Sequence, residues 1–370
     1  MANLTVLRRQ MEGQRFERQL SEERTAAAER VDIRGLENDL RRSVRGEVRF
    51  DKGARALYAT DGSNYRQVPI GVVIPRDVED VIAAVDVVRQ YGAPLLSRGG
   101  GTSLAGQCCN VAVVFDYSKY MHHVIAIDAD RKLARVEPGC VLDRLRKAAA
   151  PYKLTFGPDP ATHSHCTLGG MLGNNSCGVH SLLSANAGFG LRSSDNTHAL
   201  DILTYDGVRM QVGETPPAEL EAAIRAEGRR GEIYAGLKNL SEKYADEIRR
   251  RFPKLPRRVS GYNLDELLPE RNFHVARALV GTESTCVVCL EATVHLVHNP
   301  PAKSLLVLGY PDIFSAGAHV MEILEHKPTG LEGVDHLLYQ WLQEAGKEEA
   351  NLRLLPEGGG WLLVEFGGDT

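Results

Sequence analysis

The sequence predicts an α+β protein, and three features of its apolar patterning indicate this class. Over residues 71–107 a strand, a helix and a second strand lead into a glycine-rich loop, which is the order of an α/β unit. Residues 124–137 and 200–212 each contain two apolar segments joined by a polar turn, as β-hairpins do. From residue 303 strands and helices alternate again, which predicts a further α/β unit.

The composition is typical of a globular protein. The 370 residues are 43% hydrophobic and 25% charged, and the formal net charge is −4, so we expect no nucleic-acid partner. The longest apolar runs are too short to span a bilayer, and the N-terminal residues lack the apolar core of a signal peptide. We therefore expect a cytoplasmic protein without a transmembrane segment.

The predicted elements of the first half follow from residue spacing. Residues 1–45 are a charged helical leader that ends in an amphipathic helix from residue 31. Residues 77–91 form a helix, because Asp77 is a favourable N-cap and apolar side chains recur behind it at helical spacing. The remaining predictions are strands at 71–75, 111–117, 124–128 and 133–137 and a helix at 141–150.

The second half is expected to contain a domain boundary. The domain that begins at residue 46 continues to residue 300, and a new α/β unit begins at residue 303 and is still incomplete at residue 370. The predicted elements are strands at 200–205, 208–212, 286–296, 304–308 and 361–366 and helical segments at 219–252, 314–325 and 334–344.

The most informative segment is Leu95 to Gln107, with the sequence LLSRGGGTSLAGQ. Consecutive glycines have no side chain to pack, but they permit positive φ and let a ligand approach the main chain. Exposed N–H groups in such a turn form a concave anion site, to which Thr102 and Ser103 add donors and Arg98 adds charge. The segment predicts a phosphate- or pyrophosphate-binding loop, and the alternative is a flexible surface loop.

Two familiar phosphate motifs do not match this glycine loop. A P-loop requires Gly-Lys followed by Ser or Thr, and the loop contains no lysine. A dinucleotide-binding Rossmann turn requires glycine three residues after Gly101, where this sequence has Leu104. The loop is therefore neither a Walker motif nor an ordinary NAD turn.

A second segment, Phe156 to Gly178, concentrates glycine, proline and asparagine. So many small residues and turn formers predict backbone that lies against a ligand. His163, His165 and Cys166 suggest a metal site, but no fourth ligand follows at a suitable spacing. We expect no metal here.

Seven cysteines occur along the chain, and nothing suggests a secreted disulfide framework. Cys286 and Cys289 have the spacing of half a metal site, but they fall within a predicted strand, where residues three apart face opposite sides. We therefore expect both to be buried as small apolar residues.

Several segments occur together in an order that indicates a family. They are YATDGSNYR at 58–66, PRDVED at 75–80, RGGGTSLAGQ at 98–107, GPDPA at 157–161, TLGGMLGNNSCG at 167–178 and GTEST at 281–285. Over residues 45–370 the chain resembles the FAD-linked oxidases of the p-cresol methylhydroxylase / vanillyl-alcohol oxidase (PCMH) superfamily. It is most similar to the FAD-dependent D-2-hydroxyacid dehydrogenases (D-lactate, D-2-hydroxyglutarate and glycolate types), and especially to long bacterial forms with a C-terminal iron–sulfur region.

The resemblance implies a fold and a cofactor. The fold is a PCMH-type FAD-binding domain of two subdomains over residues 46–300, followed by the start of an α/β cap domain at 303–370. FAD is expected to bind noncovalently, since the glycine loop has no histidine for a covalent bond. The family's cofactor-binding positions fall on Arg98, Gly99, Gly100, Gly101, Thr102, Ser103, Gln107, Pro158, Asp159, Thr167, Gly170, Asn174, Gly178 and Glu283.

The resemblance also implies an activity, which is oxidation of a D-2-hydroxy acid to the 2-oxo acid with hydride transfer to flavin N5. An electron acceptor is required, and the resemblance does not identify it. Arg66, His180, Arg258 and Tyr262 are candidate substrate-side groups, and no catalytic base is assigned.

The sequence departs from the family in ways that leave alternatives open. The family's substrate-carboxylate arginine, metal-binding histidines and cysteine clusters lie farther downstream than residue 370, so an iron–sulfur cluster is expected only if a further region exists. Ser284 also replaces a glycine of the family. An FAD-binding module without independent activity is therefore an alternative, and a reductase that uses NAD(P)H fits the segments 157–161 and 174–178 less well.

Overall fold

The computed structural model describes residues 30–370. Most of the predicted leader lies outside the described residues, and its last part forms a helix. The chain divides into two compact units. The first comprises the described residues up to His122 with Ile202–Arg209 and Ser284–Leu290, and the second comprises His123–Asp201, Met210–Glu283 and Glu291–Thr370.

The first unit contains a four-stranded sheet with the order β1-β2-β4-β3. Its elements are α1 (Ile33–Ser43), β1 (Glu47–Arg49), α2 (Lys52–Leu57), β2 (Gly71–Ile74), α3 (Val78–Gln90), β3 (Leu95–Arg98) and β4 (Val113–Asp116). Strands β2, β4 and β3 are parallel, and β1 is antiparallel at the edge. The predicted order of strand, helix, strand and glycine loop is confirmed.

Helix α3 determines where the glycine loop begins, because it connects β2 to β3. It forms where predicted, and the Asp77 carboxylate accepts the N–H of Asp80. Val81 and Val88 are fully buried in one core cluster with Leu36 of α1 and Phe115 of β4. Each such side chain contributes roughly 2 kcal/mol by leaving water. The end of β3 is thus fixed by an apolar core.

A five-stranded sheet with the order β5-β6-β10-β8-β9 includes the two predicted hairpins, β5–β6 and β8–β9. The strands are β5 (Val124–Asp128), β6 (Leu133–Val136), β8 (Thr197–Thr204), β9 (Arg209–Val212) and β10 (Val287–His295), and β7 (Leu154–Thr155) pairs separately with β11 (Val297–His298). The helices of this region are α4 (Leu142–Ala149), α5 (Leu168–Asn174), α6 (Ser181–Asn186), α7 (Pro217–Arg225), α8 (Arg229–Arg251) and α9 (Val275–Leu279). Short 3₁₀ turns occur at Ala150–Tyr152, Ser194–Asn196, Leu264–Leu267 and Pro269–Arg271.

The C-terminal part of the second unit forms a three-stranded antiparallel sheet with the order β12-β14-β13. Its elements are β12 (Ala302–Tyr310), α10 (Ile313–Ala318), α11 (Val320–Glu325), β13 (Gly330–Asp335), α12 (His336–Glu344), α13 (Glu349–Leu352) and β14 (Gly360–Gly368). The predicted helix at 314–325 is interrupted at His319. The helix predicted from residue 334 begins at His336, because Asp335 is its N-cap and Val334 belongs to β13. Strand β13 was not predicted, since its glycines hide the alternation.

The cysteine prediction is wrong, because Cys286 is exposed and Cys289 is half-buried. Cys286 precedes β10, and Cys289 lies on the half-exposed face of that strand, opposite the buried side chains of Val288 and Leu290. Every helix described over residues 30–370 is too short or too polar to cross a membrane.

Three histidines of the second unit lie close together in its interior. His274 is the N-cap of α9, and the rings of His198 and His295 are in edge-to-face contact with centroids 5.2 Å apart. Burial lowers the pKa of His274 to about 3 and that of His295 to about 4, and it also lowers the pKa of His198. All three side chains are therefore neutral in the folded protein near neutral pH.

These histidines predict acid destabilisation. The unfolded chain binds a proton at His274 near pH 6.5, whereas the folded chain does so only near pH 3. Stability is therefore fully present above about pH 6.5 and is lost as the pH falls below it. Between about pH 7 and about pH 5.5 the free energy of unfolding should therefore fall by about 1 kcal/mol less in His274→Asn than in the wild type. This variant keeps a side-chain acceptor for the Arg277 N–H. Urea denaturation at both pH values measures this, and an equal loss in both proteins would contradict it.

Candidate functional site

The glycine loop of the first unit is connected to the preceding segment by Arg98. Its Nη1 donates to the carbonyl oxygens of Cys108 (3.0 Å) and Tyr58 (3.4 Å), and its Nη2 donates to that of Thr60 (2.8 Å). The guanidinium also lies over the Tyr58 ring, 5.3 Å from its centroid. Arg98 was predicted to add charge to an anion site. In the structure its guanidinium instead stabilises the loop by joining main-chain carbonyls.

Two glycines of the loop are required by its conformation. Gly101 has φ +66°, and a Cβ there would lie 2.7 Å from Arg98 Nη2. Gly106 has φ +82°, and a Cβ there would lie 2.8 Å from the Tyr65 ring. A side chain at either position would be strained by its backbone and would displace a neighbour. The predicted positive φ is confirmed at Gly101.

The main chain of the loop has open donors. Within residues 30–370, the N–H groups of Gly100, Gly101, Thr102 and Ser103 make no hydrogen bond. A run of unpaired N–H groups in a turn with positive φ is the arrangement that binds anions. Ser103 Oγ lies 3.2 Å from Cys108 Sγ, and Gln107 Oε1 accepts the N–H of Ala105 at 3.2 Å, so these side chains shape the loop. The segment fits a pyrophosphate.

Asp61, in the segment YATDGSNYR at 58–66, is a structural partner of the glycine loop. Its Oδ2 accepts the N–H of Cys108 at 3.2 Å, and its Oδ1 accepts the N–H of Ser63 at 2.9 Å. Burial opposes ionisation of this carboxyl, but the hydrogen bonds from Ser63 and Cys108 outweigh it and lower its pKa. The motif at 58–66 was the available signal. Arg66, in the same segment, is exposed.

In the second unit, part of the predicted ligand-facing loop is helix α5. The buried Thr167 hydroxyl accepts the N–H of Gly170 at 3.2 Å and caps this helix. Pro158 and Asp159 are buried, and a Cβ on Gly178 would lie 1.9 Å from the Asp159 carbonyl oxygen. Gly178 is therefore required for close packing against Asp159, independently of any ligand.

His180 lies between two carboxylates of the second unit. Its ring Nδ1 is 2.5 Å from Asp159 Oδ2, and its ring Nε2 is 3.2 Å from Glu365 Oε1 in β14. Its backbone N–H donates to Asp159 Oδ1 at 2.7 Å. The hydrogen bond with Asp159 raises the pKa of His180 despite the opposing effect of burial, and the charges of Asp159 and Glu365 add to it. Both ring nitrogens of His180, which was a candidate substrate-side group, thus contact carboxylates of the protein.

Asn175, the neighbour of the predicted cofactor-binding residue Asn174, has an unpaired polar group. Asn174 is exposed, and its Nδ2 donates to Ser176 Oγ at 3.3 Å. Asn175 is fully buried with φ +55°, and its Oδ1 accepts the N–H of Ser194 at 3.0 Å. Its Nδ2 has no partner among the described residues. An unsatisfied buried donor costs roughly 1–3 kcal/mol, so Asn175 is a candidate ligand contact. The left-handed preference of asparagine was the available signal.

The turn that contains Glu283 is joined to the end of α5. The N–H of Glu283 donates to Gly173 O at 3.1 Å, and that of Gly281 donates to Leu172 O at 2.8 Å. The Glu283 side chain is exposed. Both Glu283 (φ +50°) and Ser284 (φ +64°) have left-handed backbone, which explains the family's glycine at position 284 on conformational grounds.

Of the other proposed substrate-side groups, Arg258 is engaged within the protein. Its Nη2 donates to Asp265 Oδ1 at 2.6 Å, and its guanidinium lies 4.6 Å from the centroid of the Phe252 ring. Tyr262 is exposed. His163 pairs with Asp143 at 2.9 Å, and no cluster of three or more potential metal ligands occurs in the part of the chain that the structure describes.

Comparison with known proteins supports the predicted cofactor domain. Residues 69–213 match the family model described as FAD binding domain. D-2-hydroxyglutarate dehydrogenase of Pseudomonas putida is 31% identical over 295 residues, which cover 79% of this chain and 29% of that protein. Glycolate oxidase subunit GlcD of Bacillus subtilis is 25% identical over 301 residues, which cover 79% of this chain and 52% of that protein. The chain spans about a third of the length of the relatives named D-2-hydroxyglutarate dehydrogenase, 29% of the Pseudomonas putida protein and 32% of a second one.

The solved structure of an alkyldihydroxyacetonephosphate synthase shares the fold. It is 17% identical, the match covers 87% of this chain and 54% of that one, and the TM-score is 0.58. Together with the family match, this similarity confirms the predicted α+β, PCMH-type fold. The boundaries at 46–300 and 303–370 remain predictions.

The geometry of Gly101 predicts a stability effect in the absence of any ligand. Gly101→Ala should destabilise the protein by roughly 2–3 kcal/mol, because it combines a left-handed alanine with a contact against Arg98. Gly92→Ala is the matched control, since Gly92 has φ +61° and a Cβ added there would have no atom within 4 Å, and it should cost only about 1 kcal/mol. Urea denaturation of the FAD-free variants distinguishes them, and equal losses would contradict the role of Arg98.

Proposed function

We propose, on the premise that residues 69–213 form an FAD-binding domain, that this chain binds FAD noncovalently and oxidises a D-2-hydroxy acid to the 2-oxo acid. The observation that carries the proposal is the glycine loop, whose open N–H groups at Gly100 to Ser103 follow a partly buried parallel strand. The relatives named D-2-hydroxyglutarate dehydrogenase and glycolate oxidase support the substrate class.

In the first unit, the pyrophosphate of FAD would be bound by the main chain of the glycine loop. Gly99 to Gly101 leave the backbone accessible, and the hydroxyls of Thr102 and Ser103 supply further donors. Arg98 and Gln107 would act by maintaining the loop, as their hydrogen bonds to main-chain groups indicate. The loop is thus already shaped for an anion before the cofactor binds.

In the second unit, the flavin would be lined by the segment 158–178 and by the turn at Glu283. Pro158, Asp159 and Gly178 form the packed base of this segment, while Thr167 and Gly170 fix the start of α5. Asn174 and Glu283 have exposed side chains at or near the end of that helix. We add Asn175, whose buried Nδ2 donor needs an acceptor.

Bound FAD would supply the hydride acceptor, flavin N5, while the protein orients the substrate and excludes water. The hydroxyl proton of the substrate would pass to a base, and the two electrons removed from the substrate would pass to an electron acceptor. Neither group is assigned within residues 30–370. Of the four candidate substrate-side groups, Arg258 and His180 are paired with protein carboxylates, and Arg66 and Tyr262 are exposed.

The second candidate function is an FAD-binding module without independent catalysis. One observation favours it. Arg258, a cation that could have bound a substrate carboxylate, is paired with Asp265. The two functions differ in whether a hydroxy acid reduces the bound flavin.

FAD binding is tested by the visible absorption of the purified chain and by titration of the FAD-free chain with FAD. We expect flavin bands and saturable binding. Gly100→Val should raise the Kd for FAD at least about tenfold, because its side chain would occupy the space over the loop amides. Gly236→Val is the control, since Gly236 lies on α8 with nothing within 4 Å. Absence of binding, or unchanged affinity of Gly100→Val, would contradict the loop assignment.

The reaction is tested by adding D-lactate, D-2-hydroxyglutarate or glycolate anaerobically to the FAD-loaded chain. A dehydrogenase should show bleaching of the flavin bands with one of these acids, because hydride transfer leaves the flavin reduced until an acceptor is added. L-Lactate is the control for stereochemistry. Bands that persist with every acid would favour the FAD-binding module.

A further inference from the structure

We propose that His180 is a positioning residue that connects the flavin-lining segment to the C-terminal sheet β12-β14-β13 by bridging Asp159 and Glu365. The inference rests on the proposed function, because it takes residues 158–178 as the segment that faces the flavin. His180 itself would touch neither flavin nor substrate.

On the side of the flavin-lining segment, His180 contacts a carboxylate that has no room to move. Asp159 is 7% exposed and receives both the His180 N–H and the Nδ1–H. The carbonyl of Asp159 is packed so closely against Gly178 that a Cβ there would lie 1.9 Å away. Any displacement of His180 would therefore be transmitted through Asp159 to Gly178.

On the side of the sheet, His180 contacts a carboxylate that is anchored from two directions. Glu365 lies in the central strand β14, and its Oε1 accepts hydrogen bonds from Lys303 Nζ of β12 at 2.9 Å and from Thr329 Oγ1 at 2.9 Å. His180 Nε2 is 3.2 Å from the same oxygen. The bridge therefore ends on a fixed point of the sheet.

Backbone contacts nearby support the same connection. A Cβ on Gly330 of β13 would lie 3.1 Å from Val179 Cγ1 and 3.4 Å from His180 Cδ2. Asn186, at the end of α6, donates from Nδ2 to Pro328 O at 3.0 Å, just before that strand. The segment that follows Gly178 thus contacts the sheet at both His180 and Asn186.

The bridge requires a charged imidazole. A neutral ring has one N–H and one acceptor nitrogen, so it can donate to only one of the two carboxylates. The charged groups that face the ring are Asp159, Glu365 and Lys303, and the two carboxylates outweigh the lysine and the burial to raise the pKa of His180. The bridge is therefore complete below about pH 6.5, the ordinary pKa of histidine, and one end is lost as the pH rises through the raised pKa.

The same chain offers a contrasting histidine outside the flavin-lining segment. His298, at the end of β11, pairs with Asp369 with 3.0 Å between Nε2 and Oδ1, but it is about half exposed and contacts no second carboxylate within residues 30–370. A surface pair of this kind contributes little. His298→Gln therefore controls for the loss of a histidine–aspartate pair in the same unit.

The experiment is fluorescence titration of the full FAD-free chain with FAD between about pH 6 and about pH 10. In the wild type, affinity should fall as the pH rises and His180 loses its proton. His180→Gln should weaken FAD binding about fivefold at about pH 6.5, since one charge-assisted hydrogen bond is lost, and should abolish this pH step. Glu365→Gln should shift the step to lower pH, because one of the two carboxylates that stabilise the imidazolium is neutralised. His298→Gln should match the wild type.

The outcomes separate this inference from the proposed function. If the wild type binds no FAD, the proposed function fails and the inference fails with it. If the wild type binds FAD but His180→Gln retains its affinity and pH step, only the inference is overturned. The inference is also overturned if the pH step in FAD affinity occurs at the same pH in Glu365→Gln as in the wild type. Glu365 would then not stabilise the charged imidazole of His180. Circular dichroism verifies folding, and Glu365→Gln provides the test if His180→Gln does not fold.

Discussion

The hydrogen bonds of Arg98 to three main-chain carbonyls are the interaction on which the conformation of the glycine loop depends. A loop of glycines has no side chains with which to pack, so its shape must come from elsewhere. Arg98 joins the carbonyls of Tyr58, Thr60 and Cys108, and Asp61 fixes the Cys108 amide from the other side. The conformational entropy of the loop is thereby lost on folding, and an anion meets donors that are already oriented.

In the second unit, buried polar groups are tolerated because they are paired within the protein. His180 lies between Asp159 and Glu365, which favour its protonated form by raising its pKa, and Arg258 is matched by Asp265. A buried charge without such a partner would be far more costly than these pairs are stabilising. Five buried side-chain atoms of the second unit have no hydrogen-bond partner among the described residues, and Asn175 Nδ2 is the one of these five that can only donate.

The fold was predictable where local chemistry determines it. Helix α3 begins at its Asp77 cap and ends within one residue of the predicted end, because capping and apolar spacing are local properties. Strand β13 was missed because its pairing partner, β14, lies about thirty residues farther along and its glycines mask the alternation. The burial of Cys289 was predicted wrongly for a related reason, since only the sheet decides which face of β10 is covered.

The sequence by itself determined the local features of the candidate site and the resemblance to a family. Glycines directly after a strand permit an open, left-handed main chain, and the order of the motifs along the chain indicates an FAD-linked oxidase domain. Only the tertiary structure decided which charged residues act on the protein itself. The carbonyl groups that Arg98 contacts are 10, 38 and 40 residues away in the sequence. The carboxylates that His180 contacts belong to Asp159 and to Glu365 of β14. Residues so far apart in sequence come into contact only when the whole unit packs. The sequence therefore does not distinguish an arginine or histidine that binds a ligand from one that contacts a distant group of the protein.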